Sequence, residues 1–166
     1  AAAGNSAGRA SGSPANCTGA IGVAGLRHAG SKVGFSDIGP ELSIAAPGGN
    51  CVNLSGTCLY PILTTTNAGT RGPGSNTYSD GNNVSVGTSF SAPLVSGAAA
   101  LMLSARPNLT PAQLRSVMMS SARPFPSSGL LDSNNLPLQA CQAPGGFDQV
   151  ECNCTTATCG AGMLDA

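Results

Sequence analysis

Charged and aromatic residues are scarce in this sequence. Only 8% of its 166 residues are charged and 4% aromatic, tryptophan is absent, and seven basic residues balance seven acidic ones. Without net charge or a run of like charges, the chain has no electrostatic support for binding nucleic acid or an anionic membrane. The apolar run at residues 97–103 is far shorter than the roughly 18 residues of a membrane span. We therefore expect a soluble protein with no nucleic-acid or membrane partner.

Small apolar residues are abundant instead. Hydrophobic residues make up 41% of the chain and glycine contributes 23 positions, so the interior is predicted to be built from Ala, Val, Leu and Ile. The length is that of about one domain, since domains most often contain ~100–150 residues. This composition is typical of a compact globular interior and not of a disordered chain.

Seven cysteines in a weakly charged chain indicate an oxidising compartment and disulfide bonds. The last four cysteines allow three pairings, of which we favour Cys141–Cys152 with Cys154–Cys159, and Cys51 and Cys58 flank a short loop that a bridge between them could close. Cys17 is left over, and we expect it to stay free or to pair outside this chain. A zinc site at the last three cysteines is the less favoured alternative, because their spacing is not the usual paired C-x-x-C.

Strand candidates alternate with glycine-rich turns through the first half of the chain. They cover residues 20–26, 42–46, 62–66 and 83–87, and the short apolar ones fit buried parallel strands. The stretch 69–83 is rich in Gly, Pro, Ser, Asn and Asp. We expect it to form an exposed loop.

Two helices are predicted in the second half. The first covers about 88–105 and is apolar on nearly all sides, which predicts a buried helix. The second has Thr110 as N-cap, Pro111 at its first position and Gln113 completing a capping box, and should run to about Ala122. We expect about 123–159 to form a surface excursion held by disulfides.

The segment 87–97, with the sequence GTSFSAPLVSG, carries the strongest chemical signal. It places the Ser89 hydroxyl in the first turn of a predicted helix, where the helix dipole and free N–H groups favour developing negative charge. Gly87 would let a substrate backbone approach. On these grounds alone, a nucleophile and an ordinary helix-terminal serine both remain open.

This segment resembles the nucleophile motif of the subtilisin-like serine proteases, Gly-Thr-Ser-x-Ala/Ser-x-Pro followed by x-Val-Ala/Ser-Gly. The sequence Ala2-Ala3-Gly4-Asn5 resembles the oxyanion segment of the same family, and further stretches at 13–16, 33–39, 44–48 and 160–166 fit it. The resemblance implies an α/β fold, a three-layer sandwich with a mainly parallel sheet. Residues 1–166 would be the C-terminal part of one catalytic domain.

The resemblance also assigns roles to individual residues. Ser89 would be the catalytic nucleophile and Asn5 would donate a hydrogen bond to the oxyanion. A further group would bind substrate, forming a wall and the base of the pocket for the residue before the scissile bond: Ala2, Ala3, Gly4 and Gly12. The substrates would be polypeptides, and the enzyme would be secreted, either extracellular or periplasmic.

Several positions depart from the family pattern. Phe90 replaces the common Met after the nucleophile, and Leu94 stands where many members have His. Ser43 occupies a position where some relatives carry a calcium-binding Asp, which puts that site in doubt. No metal ligand is assigned, and the resemblance allows calcium only as a structural ion elsewhere.

A base for the nucleophile is the largest departure, because the Asp and His motifs of the family are not in this sequence. His28, with Asp37 or Asp80 as its partner, is a less favoured candidate, because no family motif surrounds it. We expect Asp and His to come from an upstream segment. The partner of this chain would then be the N-terminal part of the same protease domain, and the chain alone would be inactive.

Three other functions compete with a protease. A lipase or esterase needs G-x-S-x-G, but residue 91 is Ser. A non-catalytic fragment or pseudoenzyme, serving as a binding or structural piece, stays open as the alternative. A small scaffold held together by disulfides is less favoured, because a buried Ala-rich helix would stabilise most of the core without disulfide bonds.

Overall fold

A computed structural model describes residues 1–49, 62–79, 85–132 and 135–166. Two sequence predictions fall outside these ranges, the Cys51–Cys58 bridge and a role for Asp80. Three others fall partly outside them: the strand at 83–87, the loop at 69–83 and the excursion at about 123–159. Residues 85–87, which are described, do not form a strand.

A parallel sheet forms the centre of the structure. Strands β1 (Val23–Leu26) and β2 (Ile44–Pro47) pair in parallel, with Val23 opposite Ile44. Parallel bridges extend this pairing to Ala2 on one side and to Met163 on the other. Every residue of β1 is buried, as expected for a strand covered on both faces. The α/β class with a mainly parallel sheet is confirmed, although both strands are shorter than predicted.

A separate antiparallel hairpin corrects the prediction of a loop at 69–83. Strand β3 (Thr64–Asn67) pairs with β4 (Asn76–Ser79), which lies inside the stretch predicted to be irregular. The Asn67 side chain organises the turn, because its amide nitrogen donates to the Gly74 carbonyl at 2.9 Å and its oxygen accepts from the Gly74 N–H at 2.7 Å. The apolar alternation that signals a strand is missing, since both strands are largely exposed.

Helix α1 (Thr88–Ala105) has the predicted bounds but not the predicted burial. It packs on β1 and β2 through one face that includes Val95 and Ala98, whereas the Leu101 side chain is 69% exposed. The described elements cover only one side of the helix, so an apolar surface remains open. By length and mean hydropathy, 1.3, α1 also qualifies as a membrane span, although its packing on the sheet favours a core helix.

Helix α2 (Pro111–Ser120) begins as its sequence predicts. The Thr110 side chain accepts a hydrogen bond from the Gln113 N–H, and the Gln113 side chain accepts one from the Thr110 N–H at 2.9 Å. This reciprocal pair is the predicted capping box. The helix ends two residues before the predicted Ala122.

Two disulfides join the predicted pairs, Cys141–Cys152 and Cys154–Cys159. The sulfur atoms of Cys141, Cys154 and Cys159 lie within 4.8 Å of one another, a grouping that could suggest a metal site. Because all three are oxidised in these bridges, the disulfide interpretation replaces the zinc alternative. Cys17 is a free, exposed thiol.

Candidate active site

Helix α1 presents Ser89 at its N-terminus. Ser89 is exposed and is the second residue of the helix, after the N-cap Gly87 and the buried Thr88. Gly87 is fixed from both sides, since its N–H donates to the Gly48 carbonyl and its own carbonyl accepts from the Phe90 N–H, both at 2.9 Å. The hydroxyl therefore lies where the helix dipole favours developing negative charge.

Thr88 fixes the side-chain amide of Asn5. Its backbone N–H and its hydroxyl both donate to Asn5 Oδ1, at 3.0 and 2.9 Å. The Thr88 hydroxyl also accepts from the Gly4 N–H at 3.2 Å, so it holds the residue before Asn5 as well. With Oδ1 occupied in this way, Nδ2 points elsewhere and has no acceptor among the described residues. This leaves one amide donor available at an exposed side chain.

Two unused donors converge beside Gly87. A Cβ atom built on Gly87 would lie 3.5 Å from Asn5 Nδ2 and 3.7 Å from the backbone nitrogen of Ser89. Neither N–H donor has an acceptor within the ranges that the structure describes. Gly87 adopts φ 137°, which residues with a side chain rarely tolerate, so its backbone conformation favours glycine. A pair of preorganised N–H groups next to a serine hydroxyl can stabilise an oxyanion.

The other residues assigned by resemblance lie along the segment that leads to Asn5. Ala2 bridges to Val23 of β1, and Ala3 is 1% exposed in the core. Gly4 is half-buried, whereas Gly12 is exposed and has no atom within 4 Å of a Cβ placed on it. The open space at Gly12 is compatible with room for a substrate side chain. Their substrate-binding roles remain predictions.

No general base contacts the Ser89 hydroxyl in the described part of the chain. No group there accepts a hydrogen bond from the Ser89 hydroxyl. His28 lies beyond the end of β1, exposed in a turn. The carboxylate of Asp37, one proposed partner of His28, instead accepts the backbone N–H groups of Ser6 and Arg9. The structure therefore does not assemble a triad around His28 and Asp37.

Asp37 and Lys32 are two buried ionisable residues whose charges influence each other, and their burial was not predicted from the sequence. Lys32 is the only lysine in the chain and is 0% exposed, and Asp37 is 4% exposed. Burial lowers the pKa of Lys32 to about 7, while the Asp37 charge opposes that shift. Burial raises the pKa of Asp37, and the hydrogen bonds from Ser6 and Arg9 oppose the rise. The available signal was that Lys32 is the only lysine of the chain.

The disulfide-bonded segment near the C-terminus reaches the loop after Asn5. The Gln149 N–H donates to the Ala7 carbonyl at 2.7 Å, and Arg9 forms an ion pair with Asp148 at 2.7 Å. The Arg9 guanidinium also donates to the Gly145 carbonyl at 3.2 Å. Part of the predicted surface excursion therefore contacts the backbone of the candidate site.

Ser43, where some relatives carry a calcium-binding Asp, does not have the surroundings of a cation site. Ser43 is fully buried, and its hydroxyl accepts a hydrogen bond from the Arg115 guanidinium at 3.0 Å. A positive group already faces this oxygen, and a hydroxyl lacks the charge of the Asp that a calcium ion would require. We therefore assign no calcium at Ser43.

The chain is similar to proteins of one known family. A sequence model described as the Subtilase family matches residues 1–153. An extracellular protease of Xanthomonas campestris pv. campestris is 40% identical over 129 residues, which cover 76% of this chain and 20% of that protein. Subtilisin DY of Bacillus licheniformis is 37% identical over 126 residues, which cover 74% of this chain and 38% of that protein.

Solved structures show the same likeness. The protease from Pseudoalteromonas arctica PAMC 21717 matches with a TM-score of 0.69 at 32% identity, over 98% of this chain and 39% of that one. A cold-adapted subtilisin-like serine proteinase matches with a TM-score of 0.54 at 28% identity, over 74% and 37% of the two chains. The chain spans about a fifth to two fifths of these relatives' lengths. By the family match, the geometry and these likenesses, the chain belongs to the subtilase family.

Proposed function

We propose that the protein containing this chain is a secreted serine endopeptidase that hydrolyses peptide bonds through an acyl-enzyme. Ser89 attacks the substrate carbonyl, and the N–H groups of Asn5 and Ser89 hold the oxyanion of the tetrahedral intermediate. The observation that carries this proposal is the convergence of those two donors beside Gly87, at 3.5 and 3.7 Å from one point. The extracellular relatives support secretion.

The proton acceptor is proposed to come from a different segment. A serine hydroxyl needs a base to take its proton, and the family supplies a His oriented by an Asp. We infer that both belong to an upstream part of the same domain. That part is the proposed partner of this chain, and polypeptides are the proposed substrates.

An exposed apolar surface supports such a partner. Leu94 and Leu101 of α1 are 41% and 69% exposed, and Val117 of α2 is 38% exposed. Leu101 and Val117 line the same groove, and apolar surface of this kind marks an interface more often than it faces water. Subtilisin DY extends beyond the region that this chain matches. We propose that the upstream part of such a domain packs on this apolar surface.

The proposal is tested by reconstitution. The parent polypeptide should encode Asp-x-Gly and His-Gly-x-His segments upstream, and co-expression of that part with this chain should yield peptide hydrolysis. The same complex with Ser89→Ala is the matched control and should be inactive. If the parent encodes neither motif and the complex does not hydrolyse peptides, the non-catalytic subtilase fragment is the correct description.

A further inference from the structure

The loop after Asn5, residues 6–9, has backbone conformations that are unfavourable without support from neighbouring residues. In this loop Ala7 and Gly8 have positive φ, at 58° and 85°, as does Gly4 just before Asn5, at 119°. Ala7 lacks the freedom of glycine, and a left-handed conformation costs an ordinary residue ~1–2 kcal/mol. Such conformations persist only where the surrounding structure imposes them. The contacts around this loop must therefore determine its shape.

Asp37 makes contacts on both sides of Asn5. Its Oδ1 accepts the N–H groups of Ser6 and Arg9, at 2.9 and 3.1 Å, and its own N–H donates to the Gly4 carbonyl at 2.9 Å. The carboxylate also lies against Gly4, since a Cβ on that residue would overlap Asp37 Oδ2. The side chain of Asp37 thus fixes the residue after Asn5 and the end of the loop, and its backbone N–H fixes the residue before Asn5.

Lys32 fixes the segment that carries Asp37. Its ammonium group donates to three backbone carbonyls, each at 3.0 Å, which belong to Val33, Gly34 and Ser36. The Ser36 carbonyl also accepts the Gly8 N–H at 3.0 Å, so Lys32 and the loop share an acceptor. Its charge favours the ionised form of Asp37. Lys32 therefore stabilises the backbone that carries Asp37 and also the ionised Asp37 carboxylate that the loop contacts.

We propose that Asp37, supported by Lys32, is a positioning residue for the oxyanion donor Asn5. This inference rests on the proposed function, because it concerns the same reaction. Asp37 is buried and acts through the loop backbone and not by contact with substrate. An oxyanion donor works only at about 2.7–3.1 Å from the developing charge, so a small displacement of the loop weakens it.

The test is a double-mutant cycle in the complete protease, with kcat and KM measured separately on a peptide substrate. Asp37→Ala should lower kcat by ~10- to 100-fold, in line with the effect of a 1 Å misplacement at an active site. In an Asn5→Leu background the same change should lower kcat by less than about threefold, because the donor that it positions is already gone. Titration with a fluorophosphonate gives the concentration of intact sites.

Two further variants keep the test independent of folding. Asp37→Asn retains an oxygen for the two N–H groups and should recover kcat to within about threefold of the parent enzyme. Asp37→Ser, whose single hydroxyl cannot reach as far, replaces Asp37→Ala in the cycle if that variant does not fold.

The outcomes separate this inference from the function on which it rests. Equal losses of kcat from the Asp37 change with and without Asn5, or no rescue by Asp37→Asn, would show that Asp37 has only a structural role. Normal turnover by Asn5→Leu alone would instead overturn the proposed oxyanion site.

Discussion

The oxygen and the nitrogen of the Asn5 side-chain amide have different roles, and two substitutions should distinguish these roles. Oδ1 accepts from the Thr88 N–H and hydroxyl, whereas Nδ2 is left as the proposed oxyanion donor. Asn5→Asp keeps an oxygen for Thr88 and replaces the donor with a negative oxygen. Asn5→Leu removes both ends. Asn5→Asp should therefore be more stable than Asn5→Leu but less active.

The magnitudes follow from these contacts. Each lost hydrogen bond is worth about 1 kcal/mol, so Asn5→Leu should lower the free energy of unfolding by about 2 kcal/mol, and Asn5→Asp by less than about 0.5 kcal/mol. Loss of one oxyanion donor lowers kcat by ~10²–10³, a value established by mutating such a donor in subtilisin. Asn5→Asp should lose more than this, because two like charges 4 Å apart repel by about 4 kcal/mol at an effective dielectric constant of 20.

The assay combines kcat on a peptide substrate with urea unfolding in a Ser89→Ala background, which prevents autolysis. Asn5→Asp should be the more stable and the less active of the two variants. If kcat instead follows stability across the pair, the Asn5 side chain supports the fold and does not contact the reacting oxygen.

Two further predictions concern glycine and lysine near the site. Gly87→Ala should lower the free energy of unfolding by about 1–3 kcal/mol, because the φ of 137° is unfavourable for alanine. It should also lower kcat by ~10² or more, because the added methyl group would contact both donors where the oxyanion is proposed to bind. An unchanged kcat would disprove the donor geometry. The pKa of Lys32 is lowered to about 7 in the folded state, so the unfolded chain binds the proton more strongly between about pH 7 and 10. The free energy of unfolding should therefore rise with pH across that window, and Lys32→Met should remove the rise; an equal slope in both proteins, measured by urea unfolding, would contradict it.

Local signals in the sequence predicted the parts of the structure that depend on neighbouring residues. The start of α2 was predictable because Thr110 and Gln113 cap each other three positions apart. Ser89 was placed at the start of α1 by an adjacent glycine and the apolar run that follows. The bridge Cys154–Cys159 likewise closes over a separation of five residues.

Contacts between distant segments were not predictable in the same way. Asp37 meets Ser6 and Arg9 across 31 and 28 residues, and nothing near Asp37 in the sequence indicates those partners. The exposure of Leu101 was missed because apolar composition predicts what a helix can bury, whereas its neighbours decide what it does bury. The hairpin strand β4 was missed because it has no buried face to impose an alternating pattern.

Labelling by a fluorophosphonate tests the central claim most directly, because the reagent reacts with a serine only when a base activates it. The 166-residue chain alone should not be labelled, and its complex with the upstream part of the domain should be labelled at Ser89, as located by mass spectrometry of the peptides. Labelling of the isolated chain would show that it contains its own base. A complex that remains unlabelled, or is labelled at another serine, would contradict the assignment of Ser89 as the nucleophile.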